Sequence, residues 1–112
     1  MIIPEYDENG KLKHNGERYT AIKKLYAILK DAGVDCEMHE MNDGYQICVP
    51  ADHNPNSFEG DAIQHFGSYG AERDLIEVYG FNLNAPDGHL TTEEAAKYFM
   101  DWHEKRKKVQ DG

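Results

Sequence analysis

Residues 34–49, VDCEMHEMNDGYQICV, alternate between apolar and polar side chains on either side of an Asp-Gly pair. This alternation is typical of two β-strands with one buried face, because successive side chains of a strand point to opposite faces. The pair Asp43-Gly44 favours a two-residue type I′ turn, in which both central positions have positive φ. The segment therefore predicts a β-hairpin in which Asn42 pairs with Tyr45.

The predicted pairing also divides the side chains of the hairpin between two faces. It places Met38 opposite Val49, with Cys36 on the same face, whereas Cys48 points to the other face. The chain has two cysteines, and their spacing is typical neither of a disulfide framework nor of a metal-binding pair. We therefore expect two buried thiols that are not bonded to each other.

An amphipathic helix is predicted before the hairpin, over residues 16–32. Asn15 suits the N-cap position, and Gly33 suits the left-handed position that follows a helix. Lysines lie between apolar residues that recur at spacings of three and four, which is the pattern of one buried helical stripe. The apolar residues are Ile22, Leu25, Tyr26, Ile28, Leu29 and Ala32.

Two further strands are predicted after the hairpin. Pro50 ends the second strand, and residues 51–60 form a loop because they are rich in Asn, Asp, Pro and Gly. The third strand covers residues 61–66 and the fourth covers residues 74–81. Between them, Gly67-Ser68-Tyr69-Gly70 forms the connection.

A second helix is predicted to follow a loop that ends at residue 89. Thr91 and Glu94 have the spacing of a capping box, with Leu90 placed as its hydrophobic staple residue. Basic residues 105–108 lie near the C-terminus of this helix, where they suit its dipole. We expect Trp102 to be a core anchor of this helix. The apolar stripe of the helix contains Ala95, Ala96, Phe99, Met100 and Trp102.

These elements predict an α+β fold in the order α-β-β-β-β-α. Short connections favour antiparallel neighbours, so we expect a four-stranded, mainly antiparallel sheet. Each helix has one apolar stripe, and the sheet has one consistently apolar face, so both helices should pack on that face. We expect a single domain over residues 1–112, with mobile ends at residues 1–14 and 108–112.

Acidic residues are concentrated in the middle of the chain. The formal net charge is −9, but residues 31–94 contain fourteen acidic side chains and one basic side chain, Arg73. An acidic surface repels phosphate groups and attracts basic proteins. We therefore expect a protein partner and no duplex nucleic acid, and we expect the sheet face opposite the helices to carry most of the acidic excess.

The chain carries no sign of a membrane or secretory segment. Its apolar runs are shorter than the roughly 20 residues that cross a bilayer. The first ten residues, MIIPEYDENG, lack the basic and apolar regions of a secretory signal. We expect a cytoplasmic protein with no membrane partner.

The chain contains no recognisable metal-binding motif. Residues 52–56 place oxygen-bearing side chains at alternate positions, as a calcium loop does, but Ser57 and Ile63 replace the glycine and glutamate that such a loop needs. The six histidines show none of the close spacings of known zinc sites. The sequence therefore predicts no metal ligand, no cofactor and no catalytic residue.

The segment HFGSYG, residues 65–70, is the most distinctive stretch of the chain. Its glycines could allow the backbone to cradle an anion, or Ser68 could pair with His65 for nucleophilic chemistry. The simpler interpretation is a tight connection that exposes Tyr69. His39 also lies on a predicted strand, so it could approach His65 across the sheet, with Glu37 or Glu40 close by.

Three stretches, taken in order, resemble one group of proteins. They are residues 44–50, residues 64–70 with Leu75 and Glu77 beyond them, and residues 88–91 at the entry to a helix. With these stretches, the chain is similar over residues 20–100 to small uncharacterised proteins encoded by prophages and related mobile elements of Gram-positive gut bacteria. This resemblance implies a mobile-element context and no particular mechanism.

Three functions follow from these observations. The first is a non-enzymatic accessory protein that binds a basic, nucleic-acid-handling protein through the acidic face of the sheet. The alternatives are a small enzyme or metal site around His39, His65 and Ser68, and a nucleic-acid binder that uses the basic helices. The sequence leaves open whether the chain forms a homodimer. The predicted binding residues are Glu37, His39, Tyr45, His65, Ser68, Tyr69 and Glu77.

Overall fold

The computed structural model describes residues 19–52 and 58–111. One helix precedes and one helix follows, along the chain, an antiparallel sheet of five strands. The strands lie in the sheet in sequential order, β1-β2-β3-β4-β5. The α+β class and the placement of one helix at each end of the order are confirmed. The elements are α1 (Thr20–Asp31), β1 (Glu37–Met41), β2 (Gly44–Val49), β3 (Gly60–Gln64), a 3-10 turn (Ala71–Arg73), β4 (Ile76–Gly80), β5 (Asp87–Leu90) and α2 (Thr92–Asp111).

The fifth strand, β5, lies in the segment that was predicted to be a loop. It pairs with β4 through Ile76 opposite Leu90 and Val78 opposite Asp87, with an irregularity between the two pairs. Within β5, His89 has a φ of 59°, and Gly88 contributes no side chain. A strand of this composition has no alternating pattern, so its existence depends on the unpaired edge of β4.

The hairpin of β1 and β2 forms, but its turn is Asn42-Asp43 and not the predicted Asp43-Gly44. Met41 pairs with Gly44 and Met38 pairs with Ile47, which moves the pairing by two residues relative to the prediction. A shift of two residues leaves every side chain on its predicted face.

The position of the turn is set by contacts outside the hairpin. A Cβ on Gly44 would lie 1.9 Å from the backbone oxygen of Gln64, so this glycine is required inside the strand for the close approach of β3. Asp43 is buried, and its carboxylate accepts hydrogen bonds from the Tyr19 hydroxyl and from the backbone N–H of Phe66 at 2.8 Å. Both contacts join residues distant in sequence, so the local turn preference is overridden.

Helix α1 begins at Thr20, four residues after the predicted start, and its N-cap residue, Tyr19, has a φ of 59°. The predicted cap, Asn15, lies outside the described residues. Two N–H groups of the first turn are satisfied from outside the helix: Ala21 donates to Asp74, in the turn before β4, at 3.1 Å, and Ile22 donates to Gln64 of β3 at 3.0 Å. The helix end is as predicted, with Gly33 at a φ of 77°.

Asp74 joins this capping arrangement into one polar network. Its carboxylate also accepts hydrogen bonds from the Thr20 hydroxyl and from the Gln64 side-chain amide, the latter at 2.7 Å. Partial burial would raise the pKa of Asp74, but the hydrogen bonds from Thr20, Ala21 and Gln64 outweigh it and lower the pKa. The network therefore connects α1, β3 and the turn before β4.

Both helices pack on the same face of the sheet and contact each other. Phe99 is fully buried and anchors α2, whereas Trp102 is only half-buried at the margin of the core, beneath Arg106. Trp102, predicted to be a core anchor, therefore packs against the edge of the core, and Phe99 is the fully buried anchor of α2. The largest fully buried apolar side chains are Phe99, Ile22, Leu25, Leu29, Ile47, Ile76, Val49 and Val78.

Helix α2 starts as predicted. The Thr91 hydroxyl accepts the N–H of Glu94 at 3.2 Å, and the Glu94 carboxylate accepts the N–H of Thr91 at 3.0 Å, which is a complete capping box. The staple residue, Leu90, is buried in the core. The helix continues through Asp111. The mobility expected for residues 108–112 stays a prediction, and residues 1–14, the other expected mobile end, lie outside the described residues.

The open face of the sheet, opposite the helices, carries fewer acidic residues than predicted. Strand alternation and pairing place three carboxylates there among the described residues, those of Glu37, Asp61 and Glu77. Asp43 and Asp74 belong to the polar contacts beneath α1 instead. Loops and edges carry the remainder, so the acidity belongs to the whole sheet layer and not to its open face alone.

Candidate functional site

The predicted binding residues do not all share one surface. Tyr45 lies on the helix side of the sheet, half-buried, with the Lys23 ammonium 5.3 Å from the centre of its ring. Its strand position has the opposite parity to Gln46 and Cys48, which point to the open face. Tyr45 therefore does not belong to the predicted open-face site.

Ser68 and His65 do not form a nucleophilic pair. The Ser68 hydroxyl donates to the backbone oxygen of His65 at 2.9 Å and accepts the backbone N–H of the same residue at 3.0 Å. For His65 to act as a general base, the Ser68 hydroxyl would have to donate its proton to the imidazole. It donates to the His65 carbonyl oxygen instead. Ser68 closes the connection after β3.

His65 has a structural environment as well. It is buried, and its Nδ1 accepts the backbone N–H of Gly67 at 3.0 Å, which requires an unprotonated Nδ1. Burial lowers the pKa of His65, although the carboxylates of Asp43 and Glu77 act in the opposite direction. His39 is two strands and two residues away, roughly 12 Å, so the predicted approach of the two histidines does not occur.

Tyr69, in contrast, is presented to solvent by a strongly braced connection. Its side chain is 61% exposed, while its backbone N–H donates to Glu77 at 3.0 Å and its carbonyl accepts the N–H of His89 at 3.2 Å. A Cβ on Gly88 would lie 2.5 Å from the Cβ of Tyr69, so this glycine lets β5 approach the connection. The ring of Tyr69 stacks on that of His89 at 6.5 Å.

The exposed ring of Tyr69 is part of a larger surface. Tyr79 is 44% exposed and lies two residues after Glu77 on β4, so the two side chains share the open face. We call Tyr69, Glu77, Tyr79 and His89 the aromatic patch. It combines three rings with one carboxylate on rigid backbone, which is the composition of a recognition surface.

A second group of side chains lies at the β1 edge of the open face. Glu37 and His39 are two residues apart on β1, and Cys48 lies opposite Glu37 on β2. The Nδ1 of His39 and the Oε1 of Glu37 are 2.7 Å apart, and one donor atom from each of the three residues lies within 4.8 Å of the other two. We call Glu37, His39 and Cys48 the edge cluster.

The edge cluster is electrostatically unusual because its thiol is buried beside carboxylates. Burial, together with the charges of Asp61 and Glu37, raises the pKa of Cys48 to about 12. Asp61 pairs with Cys48 on β3, and its own pKa is raised, chiefly by burial, although Gln46 donates to its carboxylate at 2.7 Å. The thiol of Cys48 is therefore neutral, and it is a poor nucleophile in this environment.

Sequence reasoning had the components of both sites but did not assemble them. Alternation alone places Glu37, His39 and Cys48 on one face. The predicted pairing sets Cys48 opposite His39, and the observed pairing, two residues away, sets it opposite Glu37, so both bring Cys48 next to the other two. His89 and Tyr79 were missed for the aromatic patch, because β5 has no strand pattern and Tyr79 was taken only as a strand residue. The calcium-like segment around His53 lies outside the described residues.

Comparison with known proteins does not extend these findings. No family model, curated protein or solved structure matches the chain. Across residues 19–52 and 58–111, none of the helices combines the length and apolar character needed to span a bilayer.

Proposed function

We propose that this chain is a non-enzymatic binding module that takes a basic protein partner on the open face of its sheet. The observation that carries the proposal is the exposed ring of Tyr69, which lies on a connection held in place by several hydrogen bonds. Its rigidity is supplied by the hydrogen bonds of Ser68, Glu77 and His89. An exposed aromatic side chain held in one position binds a partner with little loss of conformational entropy.

The aromatic patch has the chemistry of an interface centre. Tyrosine is enriched among residues that dominate binding energy, because its ring buries a large apolar area while its hydroxyl group forms a hydrogen bond. Tyr69 and Tyr79 contribute two such rings near Glu77, which accepts the N–H of Tyr69 and precedes Tyr79 by two residues on β4. The patch therefore offers exposed aromatic surface and one carboxylate to an apolar or cationic side chain.

The charge of the sheet layer favours a basic partner. Residues 34–91, which contain all five strands, have one basic side chain, Arg73, against eleven acidic ones. Lysine or arginine side chains of a partner gain both from this field and from the faces of the tyrosine rings. Duplex DNA, whose phosphates meet the same field, is repelled. A nucleic-acid-handling protein is one class of basic partner that fits.

The proposal is tested by quantitative capture from a lysate of cells that carry the gene, followed by affinity measurement with the purified captured protein. Tyr69→Ala should weaken binding by about tenfold or more, because a central aromatic residue contributes more than about 1.4 kcal/mol. Ile28→Ala is the matched control, because Ile28 is an exposed apolar residue on α1, at 41% exposure.

Charge is tested by a second pair of variants. Glu77→Gln keeps an acceptor for the N–H of Tyr69 and removes the charge, and Glu104→Gln removes an exposed charge from α2. Binding should weaken with rising salt, and Glu77→Gln should weaken it more than Glu104→Gln. Equal binding by the Tyr69→Ala variant and the parent, or a gel shift with duplex DNA at physiological salt, would disprove the proposal.

A further inference from the structure

The edge cluster brings together three different metal-binding groups whose sequence spacing matches no common metal-binding motif. A carboxylate, an imidazole and a thiol converge with one donor atom each inside a 4.8 Å span. Two of them come from alternate residues of β1 and the third from the neighbouring strand. Because paired strands fix their Cβ positions, this convergence is built into the backbone of the hairpin.

We propose that Glu37, His39 and Cys48 form a zinc-binding site. Thiolate sulfur, imidazole nitrogen and carboxylate oxygen are the three ligand types that Zn²⁺ takes in proteins, and a mixed set of this kind favours Zn²⁺ over the hard cations Mg²⁺ and Ca²⁺. Three protein ligands leave the fourth tetrahedral position to water or to a group from a partner.

Small movements of the side chains would bring the three donor atoms to the distances that a zinc ion needs. A tetrahedral zinc site with bonds of about 2.0–2.3 Å holds its donors roughly 3.5 Å apart. The Nδ1 of His39 and the Oε1 of Glu37, now 2.7 Å apart, must separate by about an ångström, and donors near the 4.8 Å limit must approach by a similar amount. Rotation of Glu37 and His39 can supply this movement because both side chains are over one-third exposed.

The charges around Cys48 favour a divalent cation. Glu37 lies opposite Cys48 on β1, and Asp61 lies opposite it on β3, so the sulfur atom has an acidic residue on each neighbouring strand. A bound Zn²⁺ replaces the thiol proton, forms the S–Zn bond and releases one H⁺, and its two positive charges offset the thiolate and a carboxylate. Asp61, which accepts a hydrogen bond from Gln46, lies beside the sulfur ligand as a further negative group.

The site is also open to solvent on one side. β1 is the edge strand of the sheet, and the side chains of Glu37 and His39 are 36% and 40% exposed, whereas Cys48 is buried beneath them. An ion can therefore enter from the edge and reach the thiol last.

The test uses the untagged full chain, reduced and treated with chelator, titrated with Zn²⁺ in competition with a chromophoric chelator and separately with Co²⁺. We expect one equivalent of Zn²⁺ to bind with a Kd of about 1 µM or tighter. Co²⁺ should give the near-ultraviolet charge-transfer absorption of a cobalt–thiolate bond. Zinc binding near pH 7 should release protons, which is measurable in a weakly buffered solution.

Variants assign the site to these three residues. His39→Gln and Cys48→Ala should each weaken zinc binding by roughly 100-fold or more, whereas Cys36→Ala and His103→Gln, on α2, should bind as the parent does. His39→Gln alters a partly exposed side chain, so it reports on the site even if Cys48→Ala fails to fold. A Kd above about 100 µM, a cobalt spectrum without thiolate absorption, or parental affinity in His39→Gln would overturn the proposal.

Discussion

Replacing Asp74 with Asn tests whether the sheet caps helix α1. Asp74 has a φ of 57°, in the left-handed region that Asn adopts readily, so the substitution changes the side chain without adding backbone strain. One side-chain oxygen remains to accept the N–H of Ala21, but the negative charge is lost and an amide NH₂ group replaces the second oxygen.

The expected cost follows from the contacts of the carboxylate. It accepts hydrogen bonds from Thr20, Ala21 and Gln64. A hydrogen bond to a charged group contributes about 1.5–3 kcal/mol and a neutral one about 0.5–1.5 kcal/mol, and the charge also interacts favourably with the N-terminus of α1. Because Asp74 is only partly buried and the Thr20 hydroxyl can rotate to accept, we expect a net loss of about 2 kcal/mol.

The pH dependence provides the second half of this test. Hydrogen bonding lowers the pKa of Asp74 below its usual 3.8, despite partial burial, so the native state favours the ionised form. The resulting stabilisation is fully present above the unfolded pKa and is lost as the pH falls through the folded pKa. The difference between parent and Asp74→Asn should therefore be constant above about pH 5 and shrink below about pH 4.

The assay is urea unfolding followed by circular dichroism at several pH values. Asp101→Asn, which alters an exposed aspartate of α2, is the matched control and should change stability by less than about 0.5 kcal/mol. If Asp74→Asn is as stable as the parent at pH 7, or if its deficit persists unchanged at pH 2, the capping role of Asp74 is refuted.

Five other substitutions, two of them comparison variants, test the fold by the same unfolding assay. Phe99→Ala should cost about 3–5 kcal/mol, whereas Trp102→Ala at the margin of the core should cost less than half as much; the reverse order would contradict the assignment of the anchor. Gly44→Ala should prevent normal pairing of β2 with β3, because its Cβ would overlap a backbone oxygen, whereas Gly33→Ala, with open space but a φ of 77°, should cost only about 1 kcal/mol. Similar effects of the two glycine changes would argue against the close approach. Thr91→Ala removes half of the capping box and should cost about 1 kcal/mol, and a neutral result would contradict its role.

The parts of the fold that depend on neighbouring residues were predictable from the sequence. The capping box of Thr91 and Glu94, the end of α1 at Gly33 and the two faces of the hairpin all follow from contacts or periodicities within a few residues. The start of α1 at Thr20 was not predictable in this way, because the side chain that caps it is Asp74, more than fifty residues away. β5 was not predictable either, because it forms by pairing with β4 and its own side chains have no strand pattern.

The site followed the same division. Tyr69 was correctly predicted to be exposed, because a connection between strands brings its residues to the surface. Ser68 and His65 looked like a reactive pair because they are close in sequence, yet hydrogen-bond direction, which only the structure gives, sends the hydroxyl to a carbonyl group. The edge cluster forms only when β1 and β2 pair, because its three residues come from both strands. Their spacing along the chain therefore does not reveal it.

The sequential order of the strands determines how the chain can fold. Each strand of the sheet pairs with the next one along the chain, so the sheet can grow one hairpin at a time with short loop closures. The contact between α1 and α2, in contrast, joins residues far apart in the chain, because the Thr92 hydroxyl donates to the backbone oxygen of Ala21 across about seventy residues. We therefore expect the pairing of the first and last helices to be the late step of folding, and unfolding to begin where they separate.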